Sequence, residues 1–225
     1  MTPIRICLVG ATGLVGSRLI EAAVGRPDLR IVGVARREVA LPPGARMEML
    51  VAEPAGWADA IAAANAKVLV CALGTTIRQQ GGDEDAFRAI DHDLVLSCAR
   101  AAKSAGIGHM ILVSSVGADR ASRTFYLRVK GETEDALAKL GFTRLDILRP
   151  GLLRGPRAER RPAERLAMIL SPLIDPFLRG GLSRFRSIKA DVVAQAIIAL
   201  AKEKAGGRFV HEYDAMRYAI RRARG

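Results

Sequence analysis

The 225-residue chain holds 35 Lys and Arg against 23 Asp and Glu, a formal charge of +12, and half of its residues are hydrophobic. That apolar content suffices for one packed domain, expected to span 1–225 with a core over 1–150 and a lobe with closing helices over 151–225. Aromatic residues make up only 4% and do not interleave the arginines, which argues against a nucleic-acid surface, and no apolar run reaches membrane-spanning length.

Read in chain order, short runs rich in Val, Ile and Leu alternate with stretches of helical periodicity, the pattern of a parallel sheet with crossover helices. Strands are expected at 4–9, 31–36, 46–50, 68–73, 109–115 and 144–149. Helices are expected at 14–25, 57–65, 84–105, 122–140, 161–170, 189–204 and 212–223. The strands lack polar alternation, as strands covered on both faces should. The fold class is therefore α/β, a doubly wound parallel sheet with helices on both faces, and 150–187 reads as an irregular lobe over the sheet edge.

The first strand runs into "CLVGATGLVGSRL", with Gly10, Gly13 and Gly16 opening a helix pattern. Glycines at such a turn allow a dinucleotide pyrophosphate to approach the backbone and the helix N-terminus, with Thr12, Leu14 and Val15 presenting amides or a hydroxyl. The spacing is GxxGxxG rather than GxGxxG, and the alternative is a glycine-rich turn without a ligand. The second strand ends in Arg36 and Arg37, where an NAD-specific site would carry an acid. Paired guanidiniums suit a 2′-phosphate, so NADP is favoured over NAD; the alternative is two solvated arginines. Leu73, Gly74 and Thr75 follow the fourth strand, at an edge where ligands of such sheets bind or where an ordinary loop turns.

The fifth strand ends in Ser114 and Ser115, and Tyr126 follows at the start of the next helix, four residues before Lys130. Residues four apart share a helix face. A tyrosine hydroxyl serves as proton donor to a reduced carbonyl when a nearby ammonium lowers its pKa, and Ser115 would hold the carbonyl oxygen. Taken alone, Tyr-x-x-x-Lys is as readily an ordinary helix pair. The order of these features along the chain favours the catalytic reading.

The stretches "GATGLVG", "ARR", "CALGTT", "DHDLVLSCARAAKSAGIGHMILVSSVGAD", "FYLRVKGETEDAL" and "ILRPGLLRGPR" resemble the short-chain dehydrogenase/reductase superfamily, and within it an atypical branch that includes TIP30-like and NmrA-like oxidoreductases. The resemblance implies a Rossmann fold, NADPH binding and Ser115, Tyr126 and Lys130 as the catalytic triad. It also implies that Pro150, Gly151, Leu152 and Leu153 lie beside the nicotinamide. Many members complete a proton relay with an asparagine on the fourth helix; here that helix offers Asp91 and His92, so the relay is absent or rerouted.

Three functions follow from these readings: a hydride-transferring oxidoreductase acting on a small carbonyl or alcohol, an NADPH-dependent sensor or scaffold without turnover, or a nucleotide-sugar epimerase or dehydratase, for which the lobe looks short. Cys7, Cys71 and Cys98 lie far apart with no ligand spacing, and His92, His109 and His211 are too scattered for a metal, so no metal site is expected. The cysteines, and the lack of a charged-then-apolar N-terminal pattern, lead to a cytoplasmic expectation. The acids Asp83, Glu84 and Asp85 should favour the N-terminus of their helix.

The excess charge is uneven: residues 1–140 hold 17 basic and 15 acidic side chains, and residues 141–225 hold 18 and 8. The arginines at 154, 157, 160, 161 and 165 form either an anion pocket, implying an acidic or phosphorylated substrate, or a solvated face. Helices 84–105 and 122–140 are the expected surfaces of a homodimer. NADPH is expected to raise the melting temperature more than NADH at equal concentration, and Arg36→Ala with Arg37→Ala to narrow that difference. Equal shifts in the unmodified protein would overturn the arginine argument.

Overall fold

A computed structural model describes residues 2–45, 47–155, 178 and 180–223. Seven strands form the main sheet: β1 (Ile4–Val9), β2 (Leu29–Ala35), β3 (Glu48–Val51), β4 (Val68–Cys71), β5 (His109–Val113), β6 (Arg144–Leu148) and, after a separate ladder, β9 (Gly207–His211). Their order is β3-β2-β1-β4-β5-β6-β9, every neighbouring pair parallel. The separate ladder has two residues a side, β7 (Leu153–Arg154) with β8 (Ile188–Lys189).

Alternation along the strands divides the interior into two cores. Ile6, Leu8, Val68, Val70, Ile111 and Val113 face one side, under α1 (Leu14–Ala23), α6 (Ala190–Leu200) and α7 (Tyr213–Arg222). Cys7, Val9, Leu69, Cys71, Met110 and Leu112 face the other, under α2 (Trp57–Ala63), α4 (Val95–Ser104) and α5 (Phe125–Ala138). Both faces being covered explains the unbroken apolar runs of the central strands.

The expected strands are all present, β1 with the expected bounds and the others shifted or shortened at their ends. β9 is an addition to them: its sequence opens with glycine, alternates exposed and half-buried residues, and lies at the sheet edge, so it carries little apolar signal. The expected helix at 84–105 is one continuous rod in three parts: α3 (Glu84–Arg88), a π-helical segment (Ala89–Leu94) and α4. Asp83 caps it, its carboxylate accepting from the Asp85 and Ala86 amides at 2.9 Å each. Of the expected lobe, the described part holds the β7–β8 ladder and a 3₁₀ turn at Gly180–Phe185; the expected helix at 161–170 lies outside the described residues. No helix among the described residues is long and apolar enough to cross a membrane.

A buried polar hub ties the sheet edge together. The Asp146 carboxylate on β6 accepts from the Nε and Nη2 of Arg144 at 2.6 and 2.8 Å. It also pairs at 2.7 Å with the Nε2 of His109 on β5 and with that of His211 on β9. Arg144 further donates to the Ala205 carbonyl at 2.7 Å and stacks on Phe209, so the same hub anchors the entry to β9. His109 thus has a structural role at the start of β5.

Burial raises the Asp146 pKa, but hydrogen bonds from His109, His211 and Arg144 outweigh it and hold the carboxyl well below the usual range. A depressed carboxyl pKa stabilises the fold fully above the unfolded value of ~3.9, and this contribution fades as pH falls through the folded value. Asp146→Asn should cost about 3–5 kcal/mol at neutral pH, since it strands a buried guanidinium. Denaturant melts should show that deficit shrinking below about pH 4.

Candidate active site

Because all strands of the main sheet run the same way, every turn at their carboxyl ends opens on one edge. β1 sits at the switch point of the strand order, with β2 on one side and β4 on the other. The chain turns there through Gly10, whose φ is +88°, and a Cβ at this position would meet the Ala72 carbonyl at 2.5 Å. A Cβ on Gly16 would overlap the Gly10 carbonyl oxygen. Only glycines let the loop fold this tightly against β4 and let α1 begin directly beneath it.

The start of α1 suits an anion. Gly13 is its N-cap without a side-chain hydrogen bond, and no acid occupies the first turn, so the leading amides keep their donors and the dipole is uncompensated. Thr12 is exposed at the turn, Gly13 and Leu14 are half-buried, and Val15 and Gly16 are buried. The Val15 side chain belongs to the core, so its backbone is the part directed to the loop. The arrangement therefore fits a pyrophosphate: a glycine-walled cradle over a helix N-terminus with nothing of its own to satisfy it.

Arg36 and Arg37 stand exposed just past β2 and form no ion pair with a described residue. Leu73, Gly74 and Thr75 follow β4, and Pro150, Gly151, Leu152 and Leu153 follow β6. The Pro150 carbonyl accepts from the Val116 amide at 2.9 Å, which clips the turn after β6 to the turn after β5. From β2 to β5 is three strand spacings, about 14 Å, a span suited to an extended dinucleotide laid across the edge.

The two serines after β5 separate in role. Ser114 is buried and donates to the Glu134 carboxylate at 2.5 Å, and Glu134 is in turn gripped by Arg149. Ser115 is half-buried, and its hydroxyl makes only a long contact of 3.4 Å to the Val116 carbonyl, so it stays available. Tyr126 lies in the first turn of α5, its ring tilted against Phe87 at 5.6 Å. Close approach of the preceding loop holds this helix in place, since a Cβ on Gly131 would overlap the Arg120 backbone nitrogen.

Lys130, one turn further on, is 5% exposed. Its ammonium lies 2.7 Å from Oδ1 of Asp91, which is fully buried. The second oxygen, Oδ2, accepts from the Thr75 amide at 2.8 Å, and the Asp91 carbonyl accepts from the Thr133 hydroxyl at 3.0 Å. Apart from the ammonium, Oδ1 has no donor among the described residues. Burial disfavours the Lys130 charge, but Asp91 and Tyr126 outweigh it and hold its pKa above the ordinary lysine value. The lysine is thus a buried cation answered by a buried carboxylate.

Asp91 sits in the π-helical segment, which widens the helix at this point. The sequence offers it, with His92, on a helix that lacks the asparagine of the resembled family; its contact with Lys130 needed the helix geometry. The three cysteines are free and buried, and burial pushes the Cys71 thiol up to about 11, as befits inert core residues. No cluster of metal-ligating side chains occurs among the described residues. Of the arginines expected in an anion pocket, Arg154 is described, and those at 157, 160, 161 and 165 lie outside the described residues.

Sheet order, glycine turn and the strand-end crevice make a Rossmann-like α/β fold with the form of a dinucleotide-binding protein. The chain belongs to the NAD(P)H-binding family, whose model matches residues 10–204. It is 36% identical over 205 residues to the protein named "fmp52, mitochondrial" of Emericella nidulans, covering 88% of this chain and 84% of that one. To its namesake in Aspergillus fumigatus it is 34% identical, covering 86% of this chain and 85% of the other.

Among solved structures, UDP-glucose 4-epimerase from Thermus thermophilus with NAD superposes with a TM-score of 0.69 at 16% identity, covering 98% of this chain and 82% of that one. MoeE5 with UDP-glucose and NAD gives 0.66 at 18%, covering 91% and 74%. These likenesses bear out the fold. The cytoplasmic expectation does not stand, because the relatives are named as mitochondrial proteins. Buried thiols report a packed interior, and organelle addresses are read by receptors, so neither observation located the protein.

Asp91→Ala should cost about 3–5 kcal/mol by leaving a buried ammonium unpaired, and adding Lys130→Met should recover most of it. Urea melts of the two single variants and the double variant test this; simple additivity would show the pair to be uncoupled.

Proposed function

We propose that this protein is an NADPH-dependent oxidoreductase that transfers hydride between the cofactor and a small carbonyl or alcohol. The observation that carries the reading is the buried, charged Lys130 one helical turn from Tyr126, on the helix that follows the turn carrying the available hydroxyl of Ser115. Bound NADPH would supply the hydride. In this reading the glycine turn and α1 amides hold the pyrophosphate, Arg36 and Arg37 the 2′-phosphate, and the loops at 73–75 and 150–153 flank the nicotinamide half.

The Ser115 hydroxyl then donates to the substrate oxygen, orienting the carbonyl. As the carbonyl carbon becomes saturated, its oxygen gains negative charge and takes the Tyr126 proton, leaving a phenolate that regains a proton from solvent. Lys130 favours that phenolate electrostatically. Asp91 fixes the lysine through charge, its own carboxylate held by the Thr75 amide.

A second reading, cofactor binding without turnover, draws support from the same pair: a carboxylate 2.7 Å from the ammonium cancels part of the field that would acidify Tyr126. The two readings separate by experiment. A carbonyl panel monitored by NADPH oxidation should reveal an activity that Tyr126→Phe lowers by at least ~10²-fold while NADPH binding is retained. An activity indifferent to that change would remove Tyr126 from the chemistry, and a silent panel with tight NADPH binding would favour the sensor.

A further inference from the structure

On the sheet face covered by α1, α6 and α7, a groove of about 400 Å³ opens between the β7–β8 ladder and the two closing helices. It shares no residue with the glycine turn, the Arg36 and Arg37 pair or the Ser115, Tyr126 and Lys130 group. Four cationic side chains line it, Arg154, Lys189, Arg217 and Arg221, against one carboxylate, Asp191.

Three of these four cations converge on the groove without an ion pair to a described residue. Elsewhere Arg5 and Arg30 share Glu48, Arg26 pairs with Asp28, and Arg88 pairs with Glu132. In the groove, Arg154, Lys189 and Arg221 make no ion pair with a described residue, and Asp191 faces Arg18 at 3.7 Å instead. Arg217 donates to the Tyr213 hydroxyl at 2.9 Å and stacks on the same ring, which keeps its charge beside the cavity without neutralising it. The Arg154 Nε is withdrawn from solvent and has no acceptor among the described residues. A buried donor in that condition is destabilising, and a bound oxyanion would relieve it.

The rest of the lining is mixed, with the polar Ser187 and Gln195 beside an apolar part made of Ile188, Val192, Ile220 and the Tyr213 ring. Concavity, an apolar wall and a few convergent charged groups are the features of a small-molecule site, and the volume lies within the usual range. A flat or convex basic surface would suit a membrane or a nucleic acid better; this one is walled by a ladder and two helices.

We propose that the groove binds a phosphorylated small organic molecule, with Arg154, Lys189 and Arg221 around the phosphate and the organic part against the apolar wall. Three unpaired cations match a dianionic phosphate better than a single carboxylate, because forked guanidinium donors can satisfy several of its oxygens at once. The proposal is independent of turnover at Tyr126.

The test uses the whole protein saturated with NADPH, titrated calorimetrically with sodium pyrophosphate. Saturable binding at one site per chain is expected, weakened at least tenfold by Arg154→Gln with Arg221→Gln, while the NADPH dissociation constant changes by less than twofold. Circular dichroism monitors the fold of that variant; should it misfold, the exposed Lys189→Gln is used instead, with at least a threefold weakening expected. Three results would each overturn the proposal: no saturable binding, binding indifferent to the substitutions, or a parallel loss of NADPH affinity. So would adsorption to phosphatidylserine vesicles that depends on the same residues with no response to pyrophosphate.

Discussion

The parallel register of the sheet is the constraint from which the site follows. A strand that pairs with its neighbours in the same direction must return by a crossover, so its carboxyl end always delivers the chain to the same edge. β1 has β2 on one side and β4 on the other, and the chain beyond it must pass between crossovers that leave in opposite directions. The crevice at that point is why Gly10 lies against the backbone of Ala72, and why residues far apart in the chain can meet a single extended ligand. Covering both faces with helices then dries the lower part of the crevice, so that a charge placed there, such as that of Lys130, must be answered within the protein.

Two buried carboxylates give those answers, and they serve different ends. Asp146 neutralises Arg144 among three strands, so its work is to fasten β9 to the rest of the sheet. Asp91 neutralises Lys130 while its other oxygen holds the Thr75 amide, so it joins the loop after β4 to the helix carrying Tyr126. A third acid, Glu134, receives Ser114 and Arg149 and so fixes the backbone from which Ser115 is presented. Asp91 and Glu134 thus tie the turns after β4, β5 and β6 to α5.

Much of this was legible in the sequence because burial on both sides leaves an unmistakable imprint. "VLVC" reads as apolar throughout and "IRICLV" does so but for Arg5, and the glycine turn is bounded by a strand and a helix pattern on either side. What escaped notice carries no periodic signal. "GRFVH" is an edge strand supported on one side, and the β7–β8 ladder is two residues long, too short for any alternation. The two serines after β5 are indistinguishable as letters, and only the pairing of Ser114 with Glu134 shows which one is spent on structure. Asp91 stood in the sequence only as one of two candidates with His92, and its partner could not be named, because a π-helical segment shifts the face on which later residues emerge.

That segment also has an evolutionary consequence. A helix of uniform pitch tolerates changes of residue far better than changes of length, since each residue gained or lost rotates everything beyond it by about 100°. The widened turn at Ala89–Leu94 places Asp91 by accommodating chain length between fixed flanks, with Asp83 capping one end and α4 packed against the sheet at the other. Here the electrostatic balance of the crevice is written in the number of residues as much as in their identity. A relative that keeps Tyr126 and Lys130 but has a one-residue gap in this stretch would have to neutralise the ammonium from somewhere else.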